Sequence, residues 1–153
     1  MSGNAETTLG DLTFDVRVAG PPGGPPVVLL HGFPETARSW TAVARPLVRD
    51  GYRVIAPDQR GYSPGARPEG VGHYEISALA GDVIGLLDDF EIDQAHLVGH
   101  DWGAAVAWHT AAHHRDRVST LTGFSVPHLA AYGWALREDD DQRARSSYIQ
   151  LLR

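Results

Sequence analysis

The chain has 153 residues, which suits one domain with a single buried core. Its formal net charge is −6, which disfavours binding to the backbone of nucleic acids because such binding needs a basic surface. The absence of cysteine excludes disulfides, thiolate catalysis and cysteine-ligated zinc. No apolar run approaches the ~18 residues of a membrane span, and the polar residues 1–8 lack the order of a signal peptide. We therefore expect a cytoplasmic protein.

Short apolar stretches alternate with stretches of helical spacing, after a loose start at residues 1–10. The period-two pattern of residues 12–18 predicts an antiparallel strand with one solvated face. Further strands are predicted at 27–30, 52–56, 95–98 and 118–126. Helices are predicted at 39–50, 74–90 and 102–114. This order predicts an α/β fold with a mostly parallel sheet flanked by helices.

The pattern changes at Pro127, which is the only candidate domain boundary. Beyond it lie an acidic run at Glu138–Asp141 and a segment, 144–153, that could be the first turns of a helix. We therefore expect a core at 1–126 and the start of a second part at 127–153.

A nucleophile elbow is predicted where Gly99-x-Asp101-x-Gly103 joins a predicted strand to a predicted helix. A nucleophile at the tip of such a turn has a strained backbone, so the residues two positions away must be small, as both glycines are. The Asp101 carboxylate would lie at a helix N-terminus, which keeps it ionised, as a nucleophile requires. On this pentapeptide alone, an ordinary N-cap at Asp101 is the alternative.

A second motif, His31-Gly32-Phe33-Pro34-Glu35, follows another predicted buried strand. Hydrolases with a nucleophile elbow hold the oxyanion with two backbone N–H groups, one from the residue after the nucleophile and one from the loop after an earlier strand. Those donors would be Trp102 and Phe33. His31 is interpreted as ordering its loop by hydrogen bonds, and an ordinary turn is the alternative.

Three segments in order resemble the signature segments of epoxide hydrolases in the α/β-hydrolase superfamily. They are His31–Glu35, Asp58–Ser63 and Gly99–Ala104, and the resemblance covers roughly residues 10–153. It implies a truncated α/β-hydrolase fold with the start of a helical cap at the C-terminus. It also implies a cis Phe33–Pro34 bond and a position near the active site for the loop Asp58–Ser63, to which we assign no chemistry.

The resemblance extends to Ala144–Gln150, which is similar to the first helix of the family's cap domain. Tyr148 aligns with a tyrosine whose hydroxyl hydrogen-bonds the epoxide oxygen, and simple packing on a helix face is the alternative. In the implied reaction Asp101 attacks an epoxide carbon and forms an alkyl-enzyme ester, which an activated water hydrolyses to a diol. Neither a metal nor an organic cofactor is implied.

Hydrolysis of the ester needs a histidine base held by a carboxylate, and the family places both after the cap. The sequence ends at Arg153, so we expect the N-terminal half of such an enzyme, inactive alone. His100, beside the nucleophile, is interpreted as structural. The spacing of His109, His113 and His114 can bind zinc, but without an H-E-x-x-H pattern ordinary helix residues are favoured.

Three functions remain open on the sequence. The first is a fragment of an epoxide hydrolase with a small-molecule epoxide substrate. The second is a fragment of a haloalkane or haloacetate dehalogenase acting on a halide; many haloalkane dehalogenases have an asparagine where this chain has Phe33, which counts against it. The third is a non-catalytic remnant or binding protein. No membrane or nucleic-acid partner is indicated.

Overall fold

The computed structural model describes residues 3–152. The strands in this range are β1 Gly3–Leu9, β2 Leu12–Ala19, β3 Pro26–Leu30, β4 Arg53–Pro57, β5 Ala95–His100 and β6 Val118–Phe124. They form one sheet in the order β1-β2-β4-β3-β5-β6. The four strands β4, β3, β5 and β6 pair in parallel, whereas β2 pairs antiparallel with both β1 and β4.

The α-helices in this range are α1 Thr41–Arg49, α2 Ile76–Asp89, α3 Trp102–His113, α4 Leu129–Glu138 and α5 Asp140–Arg145. Short 3-10 helices occupy Ala37–Trp40, Val71–Tyr74, Arg115–Arg117 and Ser147–Leu152. Within residues 3–152, no helix combines the length and the apolar character that crossing a bilayer requires.

Helices cover both faces of the sheet. Successive residues of each strand point to opposite faces, so the continuously apolar strands present apolar side chains on both sides. On one face, residues such as Val28 and Leu30 of β3 pack with Val83 of α2 and Val106 of α3. On the other face, neighbouring strand residues pack with the 3-10 helix at Ala37–Trp40 and with α1. This three-layer arrangement confirms the predicted α/β fold, with a mostly parallel sheet flanked by helices.

The start of the chain differs from the sequence prediction. Residues 3–9 form strand β1, where a loose start is predicted, and they pair with β2 from Gly3 opposite Val18 to Leu9 opposite Leu12. Thr7 is buried and donates a hydrogen bond from Oγ1 to Asp89 Oδ2 at 3.0 Å. The segment has few apolar residues, so its strand conformation comes from pairing with β2 and not from its own periodicity.

Two details of the helical predictions also change. Val43, which helical spacing assigns to the buried side of α1, is 42% exposed. The segment predicted as the start of a helix at 144–153 is split, because α5 ends at Arg145 and a 3-10 helix runs from Ser147 to Leu152. The end of that predicted segment, residue 153, lies outside the described residues.

A buried ion pair connects the loop after β4 to helix α2. Arg60 donates from Nε to Asp82 Oδ2 at 2.8 Å and from Nη2 to Asp82 Oδ1 at 2.6 Å. Their side chains are 13% and 11% exposed. Arg60 Nη1 also donates to the His73 carbonyl at 3.0 Å. Burial raises the pKa of the Asp82 carboxyl, and Arg60 opposes that rise.

Removing one partner of this pair is expected to cost more stability than removing both. Arg60→Leu leaves a buried carboxylate unpaired, which typically costs ~3–5 kcal/mol, whereas Arg60→Leu with Asp82→Leu should be close to neutral. In the single variant the folded-state pKa of Asp82 lies above its unfolded value of ~3.9, so the penalty grows as pH rises above that value and vanishes below it. Urea unfolding at pH 4 and pH 7 measures the stability lost in the single and double variants and how that loss depends on pH. Equal losses of stability in the two variants would contradict the expectation.

Candidate active site

Two loops and one sharp turn meet at one edge of the sheet because the strands before them run parallel. The first loop, His31–Glu35, follows β3, and the second loop, Asp58–Ser63, follows β4. Asp101 follows β5 directly. Loops at the carboxyl ends of neighbouring parallel strands form the usual ligand-binding crevice of an α/β sheet.

Asp101 has the strained backbone that the elbow pattern predicts. Its φ is 54° and its ψ is −122°, a positive φ that non-glycine residues rarely adopt. Its backbone N–H donates to the Phe124 carbonyl at 3.2 Å, and its carbonyl accepts from Ala104 N–H at 3.0 Å at the start of α3. The Asp101 side chain makes no capping hydrogen bond to α3, so the carboxylate is not an ordinary helix cap.

Glycines allow β3, the first loop and the start of α3 to approach one another closely around Asp101. A Cβ atom at Gly103 would overlap the carbonyl groups of Leu30 and His31, and one at Gly99 would overlap the backbone of Gly103. In the first loop, a Cβ at Gly32 would lie 2.8 Å from Asp101 Oδ1. The absence of a side chain at Gly32 therefore lets the loop backbone reach the carboxylate.

The first loop donates a hydrogen bond to the carboxylate. Phe33 N–H donates to Asp101 Oδ1 at 2.9 Å, and the peptide bond between Phe33 and Pro34 is cis, as expected from the resemblance. Trp102 occupies the first position of α3, but the described residues show no hydrogen bond from it to the carboxylate. The structure thus brings one of the two predicted oxyanion donors into contact with Asp101.

Large apolar side chains remain open to solvent around Asp101. Phe33 is 56% exposed, Trp102 is 62% exposed and Phe124 is 49% exposed. Phe33 and Phe124 each make a backbone hydrogen bond to Asp101, and Trp102 is its neighbour in sequence. Three exposed aromatic side chains therefore belong to residues that are hydrogen-bonded to Asp101 or adjacent to it in sequence. Sequence reasoning does not single out Phe124, which lies at the end of β6.

His31, the first residue of the first loop, is fully buried and contacts the second loop. Its Nε2 accepts a hydrogen bond from Gln59 N–H at 3.0 Å, and its Nδ1 lies 3.0 Å from the Gly32 carbonyl oxygen. Burial lowers the pKa of His31, although the Gly32 hydrogen bond and the charges of Asp58 and Glu35 oppose this. The hydrogen bonds expected of His31 are present, but sequence reasoning does not identify Gln59 as their partner.

Tyr62 of the second loop packs against His31, with the two rings edge to face and 4.6 Å between their centroids. Burial raises the pKa of the Tyr62 hydroxyl, and the negative charge of Asp101 raises it further. The loop Asp58–Ser63 therefore packs beside the site, as the resemblance implies. Its tyrosine keeps its proton at neutral pH.

His100 contacts the first loop. Its Nδ1 lies 3.4 Å from Glu35 Oε2, and each of the two side chains is 39% exposed. The described residues show no hydrogen bond between His100 and the Asp101 carboxylate. Sequence reasoning assigns no role to Glu35, and its place at the end of the first motif is the only signal.

The remaining predicted residues make no hydrogen bond to Asp101 within residues 3–152. Tyr148 lies in the 3-10 helix Ser147–Leu152, is 58% exposed and makes no hydrogen bond to the site in the described part of the chain. On α3, the His109 and His113 rings stack with 4.0 Å between centroids. Residues 3–152 contain no group of three or more side chains that could hold a metal ion.

Comparison with known proteins identifies relatives of the chain. A model of the alpha/beta hydrolase fold matches residues 25–147. The AB hydrolase superfamily protein YfhM of Bacillus subtilis is 44% identical over 138 residues, which cover 90% of this chain and 48% of that protein. Epoxide hydrolase A of Mycobacterium tuberculosis is 50% identical over 111 residues, which cover 72% of this chain and 34% of that protein.

Solved structures agree with this relationship. Epoxide Hydrolase A from Mycobacterium thermoresistibile has a TM-score of 0.80 at 39% identity, with 91% of this chain and 46% of that chain covered. An epoxide hydrolase structure from metagenomes of hot environments has a TM-score of 0.91 at 37% identity, with 97% and 50% covered. The chain thus spans about half the length, or less, of these relatives. Because the family model matches most of its length, the chain belongs to the α/β-hydrolase fold family, within which it is epoxide hydrolase-like.

Proposed function

We propose that the chain supplies the nucleophile and the oxyanion-binding groups of an epoxide hydrolase that acts on a small-molecule epoxide. One observation carries the proposal: the Asp101 carboxylate leaves α3 uncapped and instead accepts the Phe33 N–H at 2.9 Å. A carboxylate that only capped the helix would bond to α3. The relatives named as epoxide hydrolases support the same chemistry for this chain.

The Phe33 hydrogen bond gives the two carboxylate oxygens of Asp101 different roles. Oδ1 is held by Phe33 N–H, so Oδ2 is the oxygen that attacks an epoxide carbon. The ring C–O bond breaks as the ester bond forms, and the leaving oxygen takes a hydrogen bond or proton from Tyr148. Oδ1 then becomes the carbonyl oxygen of the alkyl-enzyme ester.

Hydrolysis of the ester places negative charge on that same oxygen. Water attacks the ester carbonyl carbon, and the oxyanion forms on Oδ1, where Phe33 N–H already points. Trp102 N–H is the proposed second donor, and such donors contribute much of the catalysis in acyl transfer. Collapse releases the diol and restores the carboxylate. The water must lose a proton to a histidine base, and we propose that this base and its acid partner are not among these 153 residues.

We propose that residues 1–126 belong to the hydrolase core and that 127–153 begin a helical cap carrying Tyr148. In the described structure α4 and α5 are joined by hydrogen bonds at Ser146, whose Oγ lies 3.2 Å from Tyr132 Oη and accepts from Gln142 Nε2 at 2.9 Å. Ser146 is buried, so it anchors the segment just before Tyr148.

Tyr148→Phe is expected to separate epoxide opening from halide displacement. An epoxide oxygen leaves as a strongly basic alkoxide that needs a donor, whereas a halide leaves as a weak base. We expect the variant to slow ester formation with an aryl epoxide at least about tenfold. Ester formation with a bromoalkane should barely change. The rate of mass gain of the intact protein measures both reactions.

Tyr74→Phe is the matched control, because the Tyr74 hydroxyl donates to the Pro68 carbonyl. It should leave both rates unchanged. If bromoalkanes react readily, epoxides are inert and Tyr148→Phe has no effect, the dehalogenase function replaces the epoxide hydrolase function and Tyr148 is a packing residue.

A further inference from the structure

We infer that Gln59 is a positioning residue that sets the tautomer of His31 and thereby aims the Phe33 N–H at Asp101. The inference rests on the proposed function only for the use of that N–H. Gln59 contacts His31 twice: its backbone N–H donates to His31 Nε2 at 3.0 Å, and its side-chain Nε2 donates to the His31 carbonyl at 2.5 Å.

The partners of the His31 ring determine which nitrogen carries the proton. A backbone N–H can only donate, so the Nε2 atom that faces Gln59 must accept and be unprotonated. In a neutral imidazole the proton then lies on Nδ1. Nδ1 faces the Gly32 carbonyl oxygen at 3.0 Å, which can only accept. Both contacts therefore require the neutral Nδ1–H tautomer.

The Gly32–Phe33 peptide transmits this arrangement to the nucleophile. The Gly32 carbonyl and the Phe33 N–H belong to one planar peptide unit, so fixing the direction of one group fixes the other. His31 holds the carbonyl at 3.0 Å, and the N–H meets Asp101 Oδ1 at 2.9 Å. Gly32 has no side chain of its own to hold the peptide plane.

Gln59 can act in this way because the second loop is attached to the body of the fold. Asp58 N–H donates to the Asp15 carbonyl at 2.8 Å, and Asp58 Oδ1 accepts from Ala37 N–H at 2.7 Å. On the other side of Gln59, the buried Arg60–Asp82 pair binds the loop to α2. Gln59 itself is 9% exposed. Its N–H is therefore a fixed donor and not a mobile one.

Two substitutions of His31 test the tautomer directly. An asparagine amide places its N–H near the position of Nδ1, so His31→Asn keeps a donor for the Gly32 carbonyl. A glutamine amide reaches the position of Nε2, so His31→Gln loses that donor. We expect hydrogen exchange of the Phe33 amide to stay near the wild-type rate in His31→Asn and to accelerate roughly tenfold or more in His31→Gln.

The wild-type chain supplies a readout that needs no substitution. The imidazole nitrogen shifts in a ¹H–¹⁵N NMR spectrum should report the Nδ1–H tautomer. Gln59→Met removes the side-chain donor to the His31 carbonyl but keeps the backbone N–H that faces His31 Nε2. It should therefore leave the tautomer unchanged and accelerate exchange of the Phe33 amide, because the His31 backbone is held less firmly. Gln94→Met is the control, because Gln94 Nε2 likewise donates to a carbonyl, that of Asp116, at 2.7 Å and away from the site. It should leave the Phe33 amide unchanged.

The inference fails if His31 carries its proton on Nε2, or if His31→Gln and His31→Asn exchange Phe33 at the same rate. The tautomer measurement decides even if a variant does not fold. Covalent labelling of Asp101 by an aryl epoxide is measured separately. A protected Phe33 amide without labelling of Asp101 would refute the proposed function but leave the positioning role intact. Labelling of Asp101 in a chain whose His31 carries its proton on Nε2 would refute the positioning role but leave the proposed function intact.

Discussion

Asp101→Asn is expected to abolish covalent capture of a reactive aryl epoxide by this chain. The neutral amide is a poor nucleophile, whereas the carboxylate has Oδ2 free to attack while Oδ1 is held by Phe33 N–H. Intact-protein mass spectrometry should show one adduct on the wild-type chain, located at Asp101 by digestion, and none on the variant. Asp93→Asn is the matched control, because Asp93 is an exposed carboxylate before the opposite end of β5. In the Asp93→Asn variant, Asp101 should form the adduct at the wild-type rate.

The same experiment examines turnover by the 153-residue chain. None of the histidines in the described residues hydrogen-bonds to Asp101, so we expect the ester to accumulate to about one per chain without repeated diol formation. More than a few diol molecules per chain, lost in Asp101→Asn, would show that a base within these residues serves the site. A wild-type chain that takes up no epoxide and no haloalkane would favour a non-catalytic protein.

Gly103→Ala is expected to destabilise the fold severely. A Cβ at this position would overlap the carbonyl groups of Leu30 and His31, and backbone atoms of a central strand cannot move away as a flexible side chain could. Overpacking of this kind typically costs ~1–3 kcal/mol and occasionally more, and we expect at least ~3 kcal/mol because the overlap is with backbone on more than one residue. Urea unfolding monitored by circular dichroism measures the loss.

Gly81→Ala is the control for that substitution. Gly81 lies within α2, and a Cβ there meets nothing within 4 Å. Replacing a helical glycine by alanine should stabilise the protein by up to ~1 kcal/mol. Opposite effects of the two substitutions would show that the close approach of α3 to β3 requires Gly103. Similar effects would show that the elbow tolerates a side chain.

Much of the fold could be predicted from the sequence, because apolar spacing is a local property with period two in strands and 3.6 in helices. The buried run at 27–30 and the helical pattern at 74–90 correspond to β3 and α2 within a few residues. The sharp turn at Asp101 could also be predicted, because the small residues it needs lie within two positions of Asp101. Its positive φ and the cis bond before Pro34 agree with those expectations.

Other features could not be predicted, because they depend on partners that are distant in the chain. Strand β1 forms by pairing with β2, and its own residues carry little periodicity. Val43 has the helical spacing of a buried residue but is 42% exposed, because burial depends on which side of α1 packs against the rest of the fold.

The sequence by itself determined the order of the strands and α-helices from β2 to β6 and the identity of the residues at the turn around Asp101 and in the first loop. Only the tertiary structure decided which groups form hydrogen bonds with these residues. Gln59 and His31 are 28 residues apart, and Phe33 and Asp101 are 68 apart. Parallel pairing of β3 with β4 and β5 brings these loops to one edge of the sheet. Hydrogen bonds between them require specific distances and directions, which local spacing cannot encode.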